Sequence, residues 1–310
     1  MFVAVLKIVI VGQESAGAQV LRSLVAKGSE IAAVLTSDGT GGVTGPVKAL
    51  AERLDIRTFP ASSVRDAKLA DWVRNEDVDL ILNVYSLFLV HPAVVSAPKI
   101  GSFNLHPGPL PRYAGLNAPS WAIYQGEQEH GVTVHWMDPD IDTGPIAYQA
   151  HLEISPEETG LSLSVQCIRA GLPLVEQLVA TASESPANIP SVPQDLTLRT
   201  YFGGEVPNHG RLRWSESAQR IVDFVRAADY APFRSPWGVL WTTIDGYIIR
   251  IGKTARTGIA VDAEPGTVGE ASTDEVFVAA ADEWVRVGRV TADDASVSAA
   301  QLLRRGQRLV

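Results

Sequence analysis

Two unbroken apolar runs flank a segment of helical period near the start of the chain, and this order limits the fold more than any other feature. Within Leu6-Lys7-Ile8-Val9-Ile10-Val11-Gly12 the residues Ile8 to Val11 are apolar at consecutive positions, as a strand covered on both faces must be. Ala16 to Ala26 then places Val20, Leu21, Leu24 and Val25 on one helical face. Ile31 to Thr36 is a second apolar run. Strand, helix and strand in this order form a βαβ unit with parallel strands and a covering helix. Helix candidates at Pro46–Leu54 and Arg65–Asn75 and a third buried strand at Val78–Tyr85 continue the alternation. The expected class is α/β, with a Rossmann-like first domain. The glycines read Gly12-x-x-x-x-Gly17, so the dinucleotide fingerprint fails and an NAD-linked oxidoreductase is disfavoured.

Chemistry concentrates between Gly101 and Gly144. Ser102-Phe103-Asn104-Leu105-His106 alternates as a short strand with Asn104 and His106 on one face. Pro107, Gly108, Pro109 and Pro111 stop it at once. Ligands of open α/β sheets sit beyond the carboxyl ends of strands, which is where these two side chains lie. His130 to Met137 is another strand candidate, and it runs into the acidic turn Asp138-Pro139-Asp140-Ile141-Asp142-Thr143-Gly144. If the two strands are neighbours, Asp142 approaches His106. An amide donor, an imidazole and a carboxylate then serve acyl transfer: oxyanion stabilisation, proton movement and control of the imidazole. Each residue also has a bland reading, as a turn cap, a structural histidine and a turn-closing aspartate. Alternation gives His135 the face of Thr133 and suggests no role for it. Asp138, Asp140 and Asp142 lack the glycine and terminal glutamate of an EF-hand, so no metal is expected.

At these positions the chain resembles the 10-formyltetrahydrofolate-dependent formyltransferases. The likeness rests on Asn104-Leu105-His106, on Leu110-Pro111 with Arg112 and Gly115, and on Asp142-Thr143-Gly144, 36 residues after His106. Many relatives read Ser-Leu-Leu-Pro where this chain has Gly108-Pro109-Leu110-Pro111. The resemblance implies that Asn104, His106 and Asp142 are catalytic and that 10-formyltetrahydrofolate is the co-substrate. It implies that Tyr85, Ser86, Leu87, Phe88 and Leu89, with Asp138 and Ile141, line the folate site. Pro109, Leu110, Arg112 and Gly115 would then meet the acceptor. The expected acceptor is the amine of a small biosynthetic molecule, such as an amino sugar nucleotide or an amino-acid or peptide precursor. Methionyl-tRNA formylation is the alternative, and 10-formyltetrahydrofolate hydrolysis a further one. A non-enzymatic RNA-binding reading is opposed by the intact triad.

Charge bears on that choice. The net charge is -9. Residues 196–310 hold 14 basic and 14 acidic residues, and residues 1–195 hold 12 and 21. Neither part has the basic excess of an obligate nucleic-acid binder. The resemblance implies that in the tRNA-specific members the loop matching Ser37–Gly45 is longer and basic; here this flexible loop contains no Lys or Arg, and phosphate contacts need cations, so tRNA is disfavoured. The single cysteine, Cys167, excludes an internal disulfide and suits a reducing, cytoplasmic setting. No apolar run approaches a membrane span, and Met1–Lys7 makes a poor signal peptide.

The expected organisation is a catalytic domain over residues 1–184, a linker over 185–208 and a second domain over 209–310. Ser183 to Gln194 carries three prolines in twelve residues. Glu157–Ala182 reads as a long helical pattern interrupted at Gly171 and Pro173, either one kinked helix or two helices. Ser215–Ala228 is a helix, and strands near Trp237–Ile251, Thr267–Val268, Val276–Ala279 and Trp284–Val290 suggest a small barrel. Arg213-Trp214-Ser215, Pro265-Gly266-Thr267-Val268 and Leu302-Leu303 with Gly306-Gln307-Arg308-Leu309 resemble the OB-like C-terminal domain found in part of the family.

Overall fold

In the computed structural model, which describes residues 5–39, 44–292 and 295–310, the first apolar run is strand β1 (Lys7–Gly12). Residues 1–4 and 40–43, which carry part of the leader and loop expectations, lie outside the described residues. Helix α1 (Glu14–Ala26), β2 (Glu30–Thr36), α2 (Pro46–Arg53), β3 (Thr58–Pro60), α3 (Lys68–Asn75), β4 (Leu80–Val84), α4 (Pro92–Val95) and β5 (Gly101–His106) follow. After β6 (Ala114–Gly115) and α5 (Ala118–Gln125) come β7 (Glu129–Trp136), β8 (Ile146–Glu153) and α6 (Gly160–Glu184).

Seven strands form one sheet in the order β3-β2-β1-β4-β5-β7-β8. The first five are mutually parallel, and β7 runs antiparallel to β5. Alternation along β1 divides its residues between two cores. Ile8 and Ile10 join Leu21, Leu24, Phe103 and Leu105 on one face. Val9 and Val11 join Leu35, Val73 and Ile81 on the other. A fully buried side chain of this size contributes about 1.5–3 kcal/mol, so the central strands need no polar face. Gly12 and Gly17 are a packing pair: a Cβ on Gly17 would stand 2.9 Å from the Gly12 carbonyl carbon. This agrees with a structural rather than a phosphate-binding turn.

Helix α6 is one continuous element with Pro173 inside it, which leaves of the two expected forms the single helix and not the pair. Gly171 serves packing rather than interruption. A Cβ there would approach Leu105 Cδ1 to 2.8 Å, so the bare backbone lets α6 lie against β5. Asn117 occupies the N-cap of α5 in the left-handed region (φ 57°) and makes no side-chain capping bond. His91 caps α4 by accepting the Ala93 N–H on Nδ1 at 3.1 Å.

The chain divides into two compact units. One comprises Met1–Gly115, His130–Leu152 and Gln166–Tyr201, and the other Leu116–Glu129, Glu153–Val165 and Phe202–Val310. The short β9 (Tyr201–Phe202) follows α6 with one residue in each unit; in the second, α7 (Ala218–Ala227) precedes β10 (Trp241–Ile244), β11 (Tyr247–Ala260), β12 (Val268–Ala271), β13 (Val276–Ala279), β14 (Glu283–Ala292), β15 (Ala295–Ser298) and α8 (Ala299–Leu302). The region expected as strand over Trp237–Ile251 is a hairpin whose turn, Asp245-Gly246, has φ of 50° and 83°, the two positive values a type I′ turn requires. Its sheet order is β10-β11-β14-β13-β12, with β15 on β14. The C-terminal residues bond both outer strands. Thr243 and Val310 exchange N–H···O bonds of 3.0 and 2.8 Å, and the Val268 N–H reaches Gln307 O at 2.8 Å. This bridging is the closure a small barrel needs. Among the described residues no helix is long and apolar enough to cross a membrane.

Candidate active site

Strand registers assemble the site. Asn83 on β4 lies opposite Asn104 on β5. Antiparallel pairing sets Asn104 against His135 and His106 against Thr133. Beyond β7 the acidic turn folds back closely: a Cβ on Gly144 would lie 1.9 Å from Trp136 O, so only glycine permits the approach. The fold-back brings in Asp142, whose own φ is 56°. The expected trio is thus brought together, with His106 and Asp142 both buried.

Asp142 is the hub. Its Oδ2 accepts the Gly115 N–H at 2.8 Å and lies 3.4 Å from His106 Nδ1. Its Oδ1 accepts from Asn104 Nδ2 at 3.2 Å and lies 3.3 Å from His135 Nε2. Backbone carbonyls fix the ring protons, since a carbonyl only accepts. His106 Nε2 donates to Tyr113 O at 2.8 Å, and His135 Nδ1 donates to Trp136 O at 2.7 Å. The ring nitrogens left facing Asp142 are therefore His106 Nδ1 and His135 Nε2, and the second of these accepts from Asn104. Asn104 Oδ1 accepts from Asn83 Nδ2 at 2.9 Å, which turns Nδ2 toward Asp142 and, at 3.1 Å, His135 Nε2. Both N–H bonds of Asn104 are thus engaged inside the protein.

The charges follow from this cluster. Burial favours a neutral Asp142, but His106, His135 and the Gly115 N–H outweigh it and hold the carboxyl well below the usual carboxylate range. Burial pushes His106 downward, against the opposing pull of Asp142 and the Tyr113 carbonyl. Asp142 is the anion and His106 a neutral imidazole whose Nδ1 faces it. A proton arriving at that nitrogen completes an ion pair.

The loop after β5 is held from β7 and β8. His130 Nε2 donates to Pro107 O at 2.9 Å. The Thr133 hydroxyl donates to Gly108 O at 2.7 Å and accepts the Leu110 N–H at 3.2 Å. Gln149 Nε2 donates to Leu110 O at 3.0 Å. Gly108 leaves room for His106, since a Cβ would come within 2.6 Å of Nε2. The departure from Ser-Leu-Leu-Pro therefore reaches the surroundings of His106 itself.

The other expected residues are placed unevenly. Gly115 touches Asp142 through its backbone. The Leu110 side chain is buried, Pro109 is half-buried, and Arg112 is exposed with its guanidinium carbon 5.4 Å from the Tyr113 ring centre. Leu87 and Leu89 are 70% and 63% exposed. Phe88 packs inward on the core beneath the Arg65 guanidinium, and Tyr85 holds φ at 53°. The Ser86 hydroxyl accepts the Phe88 N–H at 3.4 Å. Asp138 braces the turn, its Oδ1 accepting from Asp140 N at 3.2 Å and the Thr143 hydroxyl at 2.7 Å. Ile141 is at the surface. His135 and Asn83 were not foreseen. The available signal was a matched pair of strands, Asn104/His106 and Thr133/His135, each with two polar residues two apart. Among the described residues no three His, Cys, Asp or Glu gather as metal ligands.

Residues 6–171 match the formyl transferase family, and residues 206–307 match the formyl transferase C-terminal domain. The chain belongs to the formyltransferase family. Like its relatives, it is an enzyme of that class. It is 30% identical over 267 residues to a methionyl-tRNA formyltransferase of Sorangium cellulosum, covering 85% of this chain and 83% of the relative. It is 26% identical over 280 residues to that of Alkaliphilus oremlandii, covering 88% of each. Among solved structures it shares the fold of WlaRD, a sugar 3N-formyl transferase crystallised with dTDP and 5-N-formyl-THF (TM-score 0.71, 17% identity, 92% of this chain and 98% of that one). An N-formyltransferase from Helicobacter canadensis, in complex with folinic acid and dTDP-3-aminofucose, matches at TM-score 0.69 and 18% identity, covering 92% and 100%.

Proposed function

We propose that this formyltransferase moves the formyl group of 10-formyltetrahydrofolate to the amine of a small biosynthetic acceptor. The observation that carries the reading is the convergence of Asn104, His106 and Asp142 in one buried cluster at the carboxyl end of β5. The folate fits beside it on one particular: Leu87 and Leu89 stand exposed on a loop leaving a fully buried strand, an apolar edge suited to a flat heterocycle. The folate supplies an activated formyl carbon. His106 Nδ1, the lone pair facing Asp142, takes the attacking amine's proton and later returns it to the leaving nitrogen. Asp142 stabilises the imidazolium in between. Asn104 hands one N–H from His135 or Asp142 to the oxyanion, and losing one such donor costs about 3–4 kcal/mol of barrier.

The test is incubation with 10-formyltetrahydrofolate and a panel of amino sugars, amino sugar nucleotides, amino acids and Met-tRNA, following folate absorbance and product mass. Formylated small amines support the reading. Formate released without amine would point to a hydrolase.

A second reading, formylation of methionyl-tRNA, is favoured by the face of the C-terminal sheet opposite buried Ile249, Ile251 and Val290. Exposed Lys253 and Arg289 are direct cross-strand partners there. Arg250 lies opposite Trp241, and the Arg211 guanidinium carbon stands 5.6 Å from the Trp241 ring centre. A domain of zero net charge thus gathers cations and an aromatic ring on one side, as phosphate and base contacts need.

A further inference from the structure

The segment after α6 has no regular periodicity, yet it is bonded to the turn that carries Asp142. Gln194 Nε2 donates to Asp142 O and Gly144 O at 3.0 and 2.6 Å. The Thr200 hydroxyl accepts the Tyr113 N–H at 2.8 Å, and Tyr113 O is the acceptor that orients His106. Arg199 lies between these anchors. Its Nη2 donates to Ile141 O at 3.0 Å, one residue before Asp142. Its guanidinium carbon stands 5.0 Å from the Tyr201 ring centre. Its Nε is shielded from solvent and has no acceptor, and among the described residues no carboxylate pairs with it.

Nε of Arg199 is closed to water and to a ligand alike, so an anion would meet the Nη groups of this half-buried side chain. The protein fixes this guanidinium by a carbonyl and an aromatic ring, both of which leave its full charge unmatched, and withholds an acceptor from one N–H. Such an arrangement lacks an anion. Arg112, by contrast, is exposed on the outer side of Tyr113. We infer that Arg199 binds an anionic group of the acceptor, a carboxylate or a phosphate, and thereby directs its amine toward His106. A planar guanidinium suits both groups because their paired oxygens match its fork. The inference rests on the small-amine reading above.

The test uses matched acceptors. Amino sugar nucleotides against their free amino sugars report phosphate, and amino acids against their amides report carboxylate. In the wild-type enzyme KM for the charged member of one pair is at least tenfold lower than for the neutral member. In Arg199→Gln this ratio falls to near one, in Arg199→Lys it is partly restored, and KM for 10-formyltetrahydrofolate stays within twofold. A merely structural arginine would lower kcat for both members and leave the ratio intact, which overturns the assignment. So does a wild type that formylates both members equally well, although formyl transfer to small amines then stands. If no amine is formylated while the folate still binds, the small-amine reading fails and this assignment falls with it.

Discussion

Asp142 keeps its charge under burial because the Asn104 amide and the Gly115 N–H donate to it and two imidazoles stand close enough to hold a proton beside it. Its folded pKa lies below the unfolded value of about 3.9, so its contribution to stability is complete above that pH and is lost as pH falls through the folded value. Asp142→Asn keeps the shape and removes the charge. Turnover is expected to drop at least ~100-fold, the lower range of positioned acid–base catalysis. The His106 pKa should move further down, because the carboxylate that raises it is gone and burial remains. Imidazole NMR titration of the variant measures this, and an upward shift would contradict the pairing. Asn104→Ala and His106→Ala should each remove most turnover while circular dichroism and melting stay close to wild type. Near-normal rates in both would displace the reaction from this cluster.

Strands and turns set how close these side chains come, and two elements bear the load. The acidic turn depends on Gly144. In Gly144→Ala the new Cβ meets Trp136 O at 1.9 Å, so the turn must open and Asp142 retreats. Overpacking of this kind costs about 1–3 kcal/mol, and activity should fall far more than thermal stability. The loop Pro107–Pro111 depends on His130, whose pKa burial pushes down to about 4 against the pull of Pro107 O. An unfolded histidine titrates near 6.5, so the unfolded chain gains the proton first and stability declines as pH falls from about 6.5 toward 4, by roughly 3 kcal/mol. His130→Gln, which keeps a donor for Pro107 O, should flatten that part of the urea-denaturation profile of the intact chain; an unchanged slope would exclude His130 as its source. These elements also mark what sequence could and could not reveal. Asn104, His106 and Asp142 were legible because an abrupt proline loop and an Asp-Thr-Gly turn flag both strand ends. His135 was not, since its contact with Asn104 depends on the β5–β7 register, which alternation alone leaves open. Gln194 and Arg199 sit in a proline-rich stretch where no period exists to read. The continuity of α6 was hidden because Gly171 and Pro173 look like breakers until Leu105 is seen beneath the glycine.

At the scale of the whole chain, the acceptor question turns on charge distribution rather than charge total. The C-terminal part is neutral by count, yet Lys253 and Arg289 face each other across β11 and β14. Like charges directly opposite on a sheet destabilise it, and an opposite pair contributes roughly 0.2–1 kcal/mol relative to alanines. Lys253→Glu converts the repulsion into attraction, so the variant should melt at the same temperature or slightly higher, measured by calorimetry at low salt and converging with wild type as salt screens the pair. If the face holds a phosphate backbone, the same substitution weakens Met-tRNA binding and reduces its salt dependence by about one counterion. If the acceptor is a small amine bound at the first unit, KM for that amine is untouched and only the melting curve moves. A wild type and a variant that both formylate amines and neither of which formylates Met-tRNA favour the small-acceptor reading, whereas tRNA formylation in the wild type that Lys253→Glu suppresses assigns the cationic face to nucleic acid.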